Sequence, residues 1–304
     1  MTIIKPKKLK IGDTIGILAV SGKIKEYENI LNAKKFFENE GFKVVISETC
    51  KTSHRYMAGK NDEECVKAFQ EFFENKDINA IVCARGGYGT IRLLDKIDWN
   101  IVKNNPKIFA GYSDITALLC MIYKKTGLIT FHSPMCNGDF ASNVDEYTKN
   151  SFFNTLSGNT KSIQAVGSKI FYEGITDGHL FGGNLTVLAS LCGLDFIPRE
   201  NLILFLEDLN EPVYKIDRTL TQLFNIIEFK ENVKGIAIGE FKDISDTSML
   251  DMIIKEIAQK LKIPVCDGFK ITHNKTKDTI PVGASAIFDS NLGKISISDG
   301  YVSD

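Results

Sequence analysis

The run Pro106-Lys-Ile-Phe-Ala-Gly-Tyr-Ser-Asp-Ile-Thr116 sets a hydroxyl where it can do chemistry. Ile108, Phe109 and Ala110 form a short apolar stretch that reads as a buried strand. It runs through Gly111 into Ser113 and Asp114, then into the helical spacing of Ile115, Leu118, Leu119 and Ile122. A serine on a sharp strand-to-helix turn stands at the end of a sheet, where the first N–H groups of the helix can meet a developing negative charge. Ser113 is equally placed to do no more than cap that helix, the commonest role for a serine there.

A serine nucleophile needs a base, and usually a carboxylate to orient it. The chain has 4 histidines: His54, His132, His179 and His273. His132 follows a strand and reads as structural, His54 lies in a polar loop, and His179 reads as a surface residue. His273 sits in Gly268-Phe-Lys-Ile-Thr-His-Asn-Lys-Thr-Lys277, a polar loop after the Pro264–Asp267 strand. Loops after strands are where functional histidines gather. The apolar strand Leu202-Ile-Leu-Phe-Leu delivers Glu207 and Asp208 at its end. Either acid could orient an imidazole, and both could simply cap the following loop. The serine is not in G-x-S-x-G, because Ile115 stands two residues beyond it, which disfavours a standard α/β-hydrolase.

Arg85-Gly-Gly-Tyr-Gly89 also follows a strand directly. Glycines there let backbone N–H groups approach a ligand, as a phosphate cradle or an oxyanion hole. The spacing is not Gly-x-Gly-x-x-Gly and no Lys-Ser/Thr follows, so a nucleotide fingerprint is poorly matched.

Alternating signals position these residues. Strands are expected at Thr14–Val20, Lys43–Ser47, Ile78–Ala84, Ile108–Tyr112 and Ile129–Phe131, with helices at Tyr27–Glu40, Asp62–Asn75 and Asp114–Lys125. Such alternation implies a mostly parallel sheet covered on both faces, with its ligand crevice at the carboxyl ends of the strands. Arg85–Gly89 and Ser113 both fall at such ends. The expected division is an N-terminal α/β domain over 1–137, a linker over 138–168 with a helix at Glu146–Leu156, and a smaller α/β or β-rich domain over 169–304. In that last part, strands are expected at Gly178–Phe181, Leu202–Leu206, Gly235–Ile238, Val265–Asp267, Ala284–Asp289 and Lys294–Ile297. Helices are expected near Asn184–Leu191, Tyr214–Ile227 and Ser248–Lys260.

Composition narrows the class. A formal net charge of -1 gives no global pull towards nucleic acid or an anionic membrane, so neither is expected as a partner. No apolar run approaches the ~18 residues of a membrane span, and the lysine-bearing N-terminus lacks the apolar core of a signal peptide. The 7 cysteines are scattered, without a C-x-x-C pair. They read as reduced, mostly buried thiols of a cytoplasmic protein, with no metal site expected.

Taken together, the segments resemble the LD-carboxypeptidase family, serine peptidases also called muramoyltetrapeptide carboxypeptidases. The resemblance runs from Gly12-Asp-Thr-Ile-Gly-Ile to Pro281-Val-Gly-Ala. Its blocks are Cys83-Ala-Arg-Gly-Gly-Tyr-Gly-Thr-Ile-Arg-Leu-Leu94, Gly111-Tyr-Ser-Asp-Ile-Thr-Ala-Leu-Leu119, Phe131-His-Ser-Pro-Met135, Gly182-Gly-Asn-Leu185, Leu204-Phe-Leu-Glu-Asp208 with Tyr214-Lys-Ile-Asp-Arg218, and the Gly268–His273 loop. It implies a flavodoxin-like N-terminal domain and a smaller C-terminal domain with a barrel-like core. It implies Ser113 as nucleophile, His273 as base and then acid, and Glu207 as its orienting carboxylate. Backbone N–H groups of Gly86 or Gly87 and of Asp114 would form the oxyanion hole. An exopeptidase must also read its substrate's terminal carboxylate, and Arg85 or another cleft cation is the expected receptor. The implied reaction, without cofactor or metal, releases terminal D-alanine from peptidoglycan tetrapeptides during cytoplasmic wall recycling, in a homodimer. The chain departs from the family pattern at Thr272, where many members have glycine, and at Phe171 and Tyr172, where a tryptophan is common. A related branch, the microcin C self-immunity peptidases that hydrolyse aminoacyl-nucleotide toxins, is the alternative.

Overall fold

The computed structural model describes residues 2–298 and 300–304. In chain order the first half contains β1 (Thr14–Leu18), α1 (Tyr27–Asn39), β2 (Lys43–Ile46), the short hairpin β3 (Ser53–His54) and β4 (Met57–Ala58), α2 (Asp62–Glu74), β5 (Ala80–Cys83), α3 (Trp99–Asn104), β6 (Ile108–Gly111), α4 (Thr116–Thr126) and β7 (Thr130–His132). Every residue of β1, β5 and β6 is buried. Such continuous apolar runs are what a parallel sheet covered on both faces requires. Helix α1 turns Ile30, Ala33 and Phe37 onto the sheet, and Gly41 then takes a left-handed φ of 89° that a side chain would disfavour.

The second half contains α5 (Glu146–Leu156), β8 (Ser162–Gln164), β9 (Ile170–Tyr172), β10 (Ile175–Asn184), α6 (Leu185–Ser190), β11 (Leu202–Leu209), α7 (Val213–Phe224), α8 (Ile227–Asn232), β12 (Val233–Lys242), α9 (Thr247–Leu261), β13 (Val265–Cys266), β14 (Ile280–Val282), β15 (Ser285–Asp289) and β16 (Lys294–Ile297). The stretch between 138 and 168 thus carries a helix and also a strand, β8, which pairs with β16.

The first sheet has the order β14-β7-β6-β5-β1-β2, with β1, β2, β5, β6 and β7 mutually parallel. This is the flavodoxin-like winding, and its strand order reverses between β1 and β5. The crevice belongs at their carboxyl ends. The sixth strand is antiparallel and comes from the second half: β14 pairs Ile280 with His132 and Val282 with Thr130. Three residues with Pro281 at their centre carry almost no strand signal, and proline confines such a strand to an edge.

The second sheet has the order β8-β16-β15-β10-β11-β12-β13-β9. Strands β10 to β13 run parallel in the middle, and antiparallel pairs lie at either side. Its two edge strands, β8 and β9, are consecutive in the chain with only residues 165–169 between them. The sheet must therefore curl towards itself, as the barrel-like expectation requires. Buried apolar side chains form one cluster that runs through both halves.

Candidate active site

Strand β6 ends at Gly111, Tyr112 is extended, and Ser113 then takes a φ of 63° before a single 3-10 turn, Ser113–Ile115, leads into α4. A non-glycine residue held in the left-handed region costs on the order of 1–3 kcal/mol and persists where the surroundings enforce it. Ser113 is not the helix cap: neither the 3-10 turn nor α4 has a side-chain capping bond. The buried Asp114 fixes the turn instead. Its Oδ2 accepts from Ser21 Oγ (2.6 Å) and from Thr90 N (3.0 Å), while its carbonyl accepts from Thr90 Oγ1 (2.6 Å). One carboxylate therefore joins the chain after β1, the chain after β5 and the serine turn.

The glycine turn faces the serine. A Cβ on Gly86 would lie 2.9 Å from Ser113 Oγ and 3.4 Å from Asp114 N, so the two turns approach as closely as backbone allows. Gly86 O in turn accepts from Gly22 N (3.2 Å), which locks the turn to the end of β1. Arg85 Nε donates to Gly86 O (3.0 Å) and its Nη1 to Lys23 O (3.1 Å). Among the described residues no carboxylate is paired with this guanidinium.

The acid and the imidazole come from the second half. Glu207 lies near the end of β11, opposite Asn184 of β10, and is fully buried. His273 Nδ1 donates to Glu207 Oε2 at 2.6 Å, which leaves Nε2 as the ring's second nitrogen. Burial pushes the Glu207 carboxyl up, partly offset by the bond from His273. Asp208 instead accepts from Asn184 Nδ2, Thr186 N and Thr186 Oγ1, and so anchors the start of α6. Of the two acids left open by the sequence, Glu207 is the imidazole's partner.

The loop carrying His273 is gripped on both sides of the ring. Thr272 Oγ1 (2.6 Å) and Asn274 Nδ2 (2.5 Å) both donate to Glu240 Oε2, and Glu240 N donates to Ile271 O (2.8 Å). Thr272, which stands where the family often has glycine, is thus part of the loop's anchorage.

Ser113, His273, Arg85, Gly86, Gly87 and Asn137 line one cleft of about 410 Å³, where the carboxyl ends of β5 and β6 meet the second half. No hydrogen bond joins Ser113 Oγ to His273 among the described residues; such bonds are often long before substrate binds. The other histidines lie elsewhere in function. His132 is buried and held neutral, its pKa pushed down to about 3, chiefly by burial. His54 bonds to Gly59 O (2.8 Å). His179 is half-buried rather than a surface residue, with Nδ1 on Gly283 O (2.9 Å) and its ring stacked near Tyr123. All seven cysteines are free and six are buried.

Sequence reasoning missed Tyr112, Asp139 and Lys277. Tyr112 packs its ring edge-on to His273, with centroids 4.9 Å apart, and Lys277 Nζ lies 4.2 Å from the Tyr112 ring centre. The signal that could have found two of them was the closeness of Tyr112 to Ser113, and of Lys277 to His273, along the chain; Asp139 carried none.

Comparison with known proteins agrees with this architecture over both halves. Residues 15–133 match the LD-carboxypeptidase N-terminal domain and residues 177–288 the LD-carboxypeptidase C-terminal domain. A probable murein peptide carboxypeptidase of Bacillus subtilis is 33% identical, over 94% of this chain and 92% of that protein. The microcin C7 self-immunity protein MccF of Escherichia coli is 30% identical over 97% of this chain and 96% of its own length. Among solved structures, MccF without ligand superimposes with a TM-score of 0.90 at 26% identity, covering 99% of this chain and 100% of that one. Muramoyltetrapeptide carboxypeptidase from Oxalobacter formigenes does so with a TM-score of 0.83 at 29% identity, covering 96% and 100%. With matches in order across both halves and a relative at this identity over nearly the whole length, the chain belongs to the LD-carboxypeptidase family.

Proposed function

We propose that the protein is a serine-type carboxypeptidase that releases terminal D-alanine from peptidoglycan-derived tetrapeptides by cleaving an L,D-amide bond. The observation that carries the reading is the 2.6 Å bond from His273 to the buried Glu207, on a cleft that also holds the strained Ser113. Ser113 Oγ attacks the amide carbonyl while His273 Nε2 takes its proton. Glu207 holds the ring in the tautomer that leaves Nε2 free to accept, and it stabilises the imidazolium that forms. The tetrahedral oxyanion is met by the N–H of Asp114 and by that of Gly86 or Gly87. His273 then gives its proton to the departing D-alanine amine, and water repeats the sequence on the acyl-enzyme.

Arg85 is the proposed receptor for the substrate's terminal carboxylate. Its guanidinium is held by two backbone carbonyls and lacks a described anionic partner, so its charge is open to the cleft. The proposed division of labour follows the halves: residues 1–137 supply nucleophile and oxyanion donors, residues 169–304 supply acid and imidazole. A cytoplasmic homodimer belongs to the same reading, and light scattering on the purified chain tests the dimer.

Incubation with a tetrapeptide ending in D-alanine should release D-alanine, and Ser113→Ala should abolish that release. Unchanged turnover in Ser113→Ala would overturn the reading. The 30% identity to MccF supports a second reading, hydrolysis of an aminoacyl nucleotide. An aspartyl sulfamoyl adenosine substrate separates the two: preferential cleavage of it over the tetrapeptide favours the second.

A further inference from the structure

Lys277 is four positions beyond His273 on the same loop, yet its ammonium is buried. It pairs with Asp139 at 2.6 Å, with side chains 3% and 9% exposed, the most buried lysine–carboxylate pair among the described residues. Asp139, at the start of the 138–168 stretch, belongs to the Cys136–Phe140 turn after β7, which packs on α1 through Phe140 against Phe36 and Phe37, and it also lines the cleft. The pair thus ties the histidine loop to the half that carries the serine. Both ends are held. Asp139 Oδ2 accepts from Met135 N (2.8 Å), and Lys277 N donates to Thr148 Oγ1 (3.0 Å), which itself donates to Asp145 Oδ2 (2.7 Å).

A buried ion pair is a poor way to gain stability, because desolvation of both charges offsets their attraction. An apolar pair of similar volume would hold the halves together at lower cost. What an apolar pair would not supply is a cation against an aromatic ring. Lys277 Nζ stands 4.2 Å from the centre of Tyr112, within cation–π range, and Tyr112 packs at an interplanar angle of 61° on His273. The Tyr112 side chain departs from the residue directly before Ser113, so it connects the nucleophile's own turn to the imidazole. Glu207 restrains His273 at Nδ1 only, which leaves tilt of the ring about that bond to be fixed by something else. The Tyr112 ring packs against the imidazole where it can limit that tilt, and Lys277 fixes Tyr112.

We infer that Lys277, held by Asp139, is a positioning residue that acts through Tyr112 to set the His273 ring at the angle from which Nε2 reaches Ser113 Oγ. This rests on the serine-nucleophile reading above. It assigns no contact with substrate to Lys277. Losing it should therefore lower kcat and leave KM nearly unchanged.

The test reads Ser113 directly, with a fluorophosphonate ester that labels activated serines whatever the natural substrate. The full-length chain is compared with Lys277→Arg and with Lys277→Met/Asp139→Asn, which removes both charges together so that neither is left buried alone. The double variant should label at least about tenfold more slowly, since misplacement of a catalytic group by an ångström can cost ~100-fold. Lys277→Arg keeps the cation on the ring and should label within a few-fold of the parent. On a tetrapeptide, the same variants should separate in kcat with KM within about threefold. If the double variant does not fold, Tyr112→Leu is compared with Tyr112→Phe: slow labelling in the first and near-parental labelling in the second support the inference. Parental labelling in a folded double variant, or in Tyr112→Leu, overturns it. A parent chain that does not label at Ser113 at all would instead overturn the nucleophile assignment on which it stands.

Discussion

Gly86 and Ser113 are in contact so close that glycine is the only residue that fits: a Cβ on Gly86 would stand 2.8 Å from Ser113 Cβ. The atoms on both sides belong to tightly tied turns, one bonded to Gly22 and the other pinned by Asp114. Neither can yield without carrying the serine with it. Gly86→Ala should therefore lower kcat/KM by on the order of 100-fold, the usual consequence of misplacing a nucleophile or an oxyanion donor. Thermal unfolding and D-alanine release measured on the same preparation check this. Full activity in the alanine variant would mean that the two turns are looser than their contacts suggest.

The strain at Ser113 makes a second, opposite pair of effects. Its φ of 63° suits glycine, and its hydroxyl makes no capping bond that would be lost. Ser113→Gly should abolish activity while raising stability by about 1 kcal/mol, as relief of left-handed strain outweighs the glycine's extra chain entropy. Ser113→Ala should be equally inactive but no more stable, because alanine keeps the strain. Urea unfolding of the three proteins distinguishes these outcomes; equal stability in all three would remove strain from the account.

How much of this was legible depends on how local each signal is. The β–α alternation of the first half could be read because its strands are short apolar runs and its helices carry one apolar face, as in Ile30, Ala33 and Phe37. Ser113, Glu207 and His273 stood out because each is a polar residue at the end of an apolar strand or in the loop just after one. The Glu207–Asp208 ambiguity could not be resolved from sequence: the register sets Glu207 opposite Asn184, yet Asn184 bonds Asp208, and only the placement of the distant His273 loop gives Glu207 to the imidazole. Strand β14 was invisible because its pairing is made wholly by a partner more than a hundred residues away. Lys277 was invisible for a related reason. A lysine in the run Asn274-Lys-Thr-Lys277 reads as solvated, and only tertiary packing on Asp139 buries it.

The bond between Glu207 and His273 yields a third prediction. Glu207→Gln keeps the shape of the side chain but presents an amide where a carboxylate stood. It loses the charge that stabilises the imidazolium, and an amide N–H facing Nδ1 would favour the wrong tautomer. By the behaviour of such triads, kcat should fall by roughly 1000-fold or more with little change in KM. Steady-state kinetics on the tetrapeptide decide it. A loss smaller than tenfold would indicate that Asp208 or another acid supports the ring.

His132 supplies the last prediction, which concerns stability against pH rather than catalysis. The ring is buried against Tyr112 and Phe205, and its pKa is pushed down to about 3, by burial first and then by the nearby His273 and Lys277. In the unfolded chain it would titrate near ~6.5. Between those two values the unfolded state binds a proton that the native state refuses. The stabilising contribution is therefore complete above pH ~6.5 and is lost as pH falls towards 3, at a slope approaching 1.4 kcal/mol per pH unit. Replacement by an uncharged residue of similar size removes this slope without altering the other titrating groups. The native chain should thus lose stability faster than His132→Gln between pH 6 and pH 4, by about 2 kcal/mol over that interval. Urea midpoints at pH 7, 5 and 4 measure the difference directly. Parallel stability curves would show that His132 takes up a proton as readily in the folded protein as in the unfolded chain, and would remove its burial from the account of acid sensitivity.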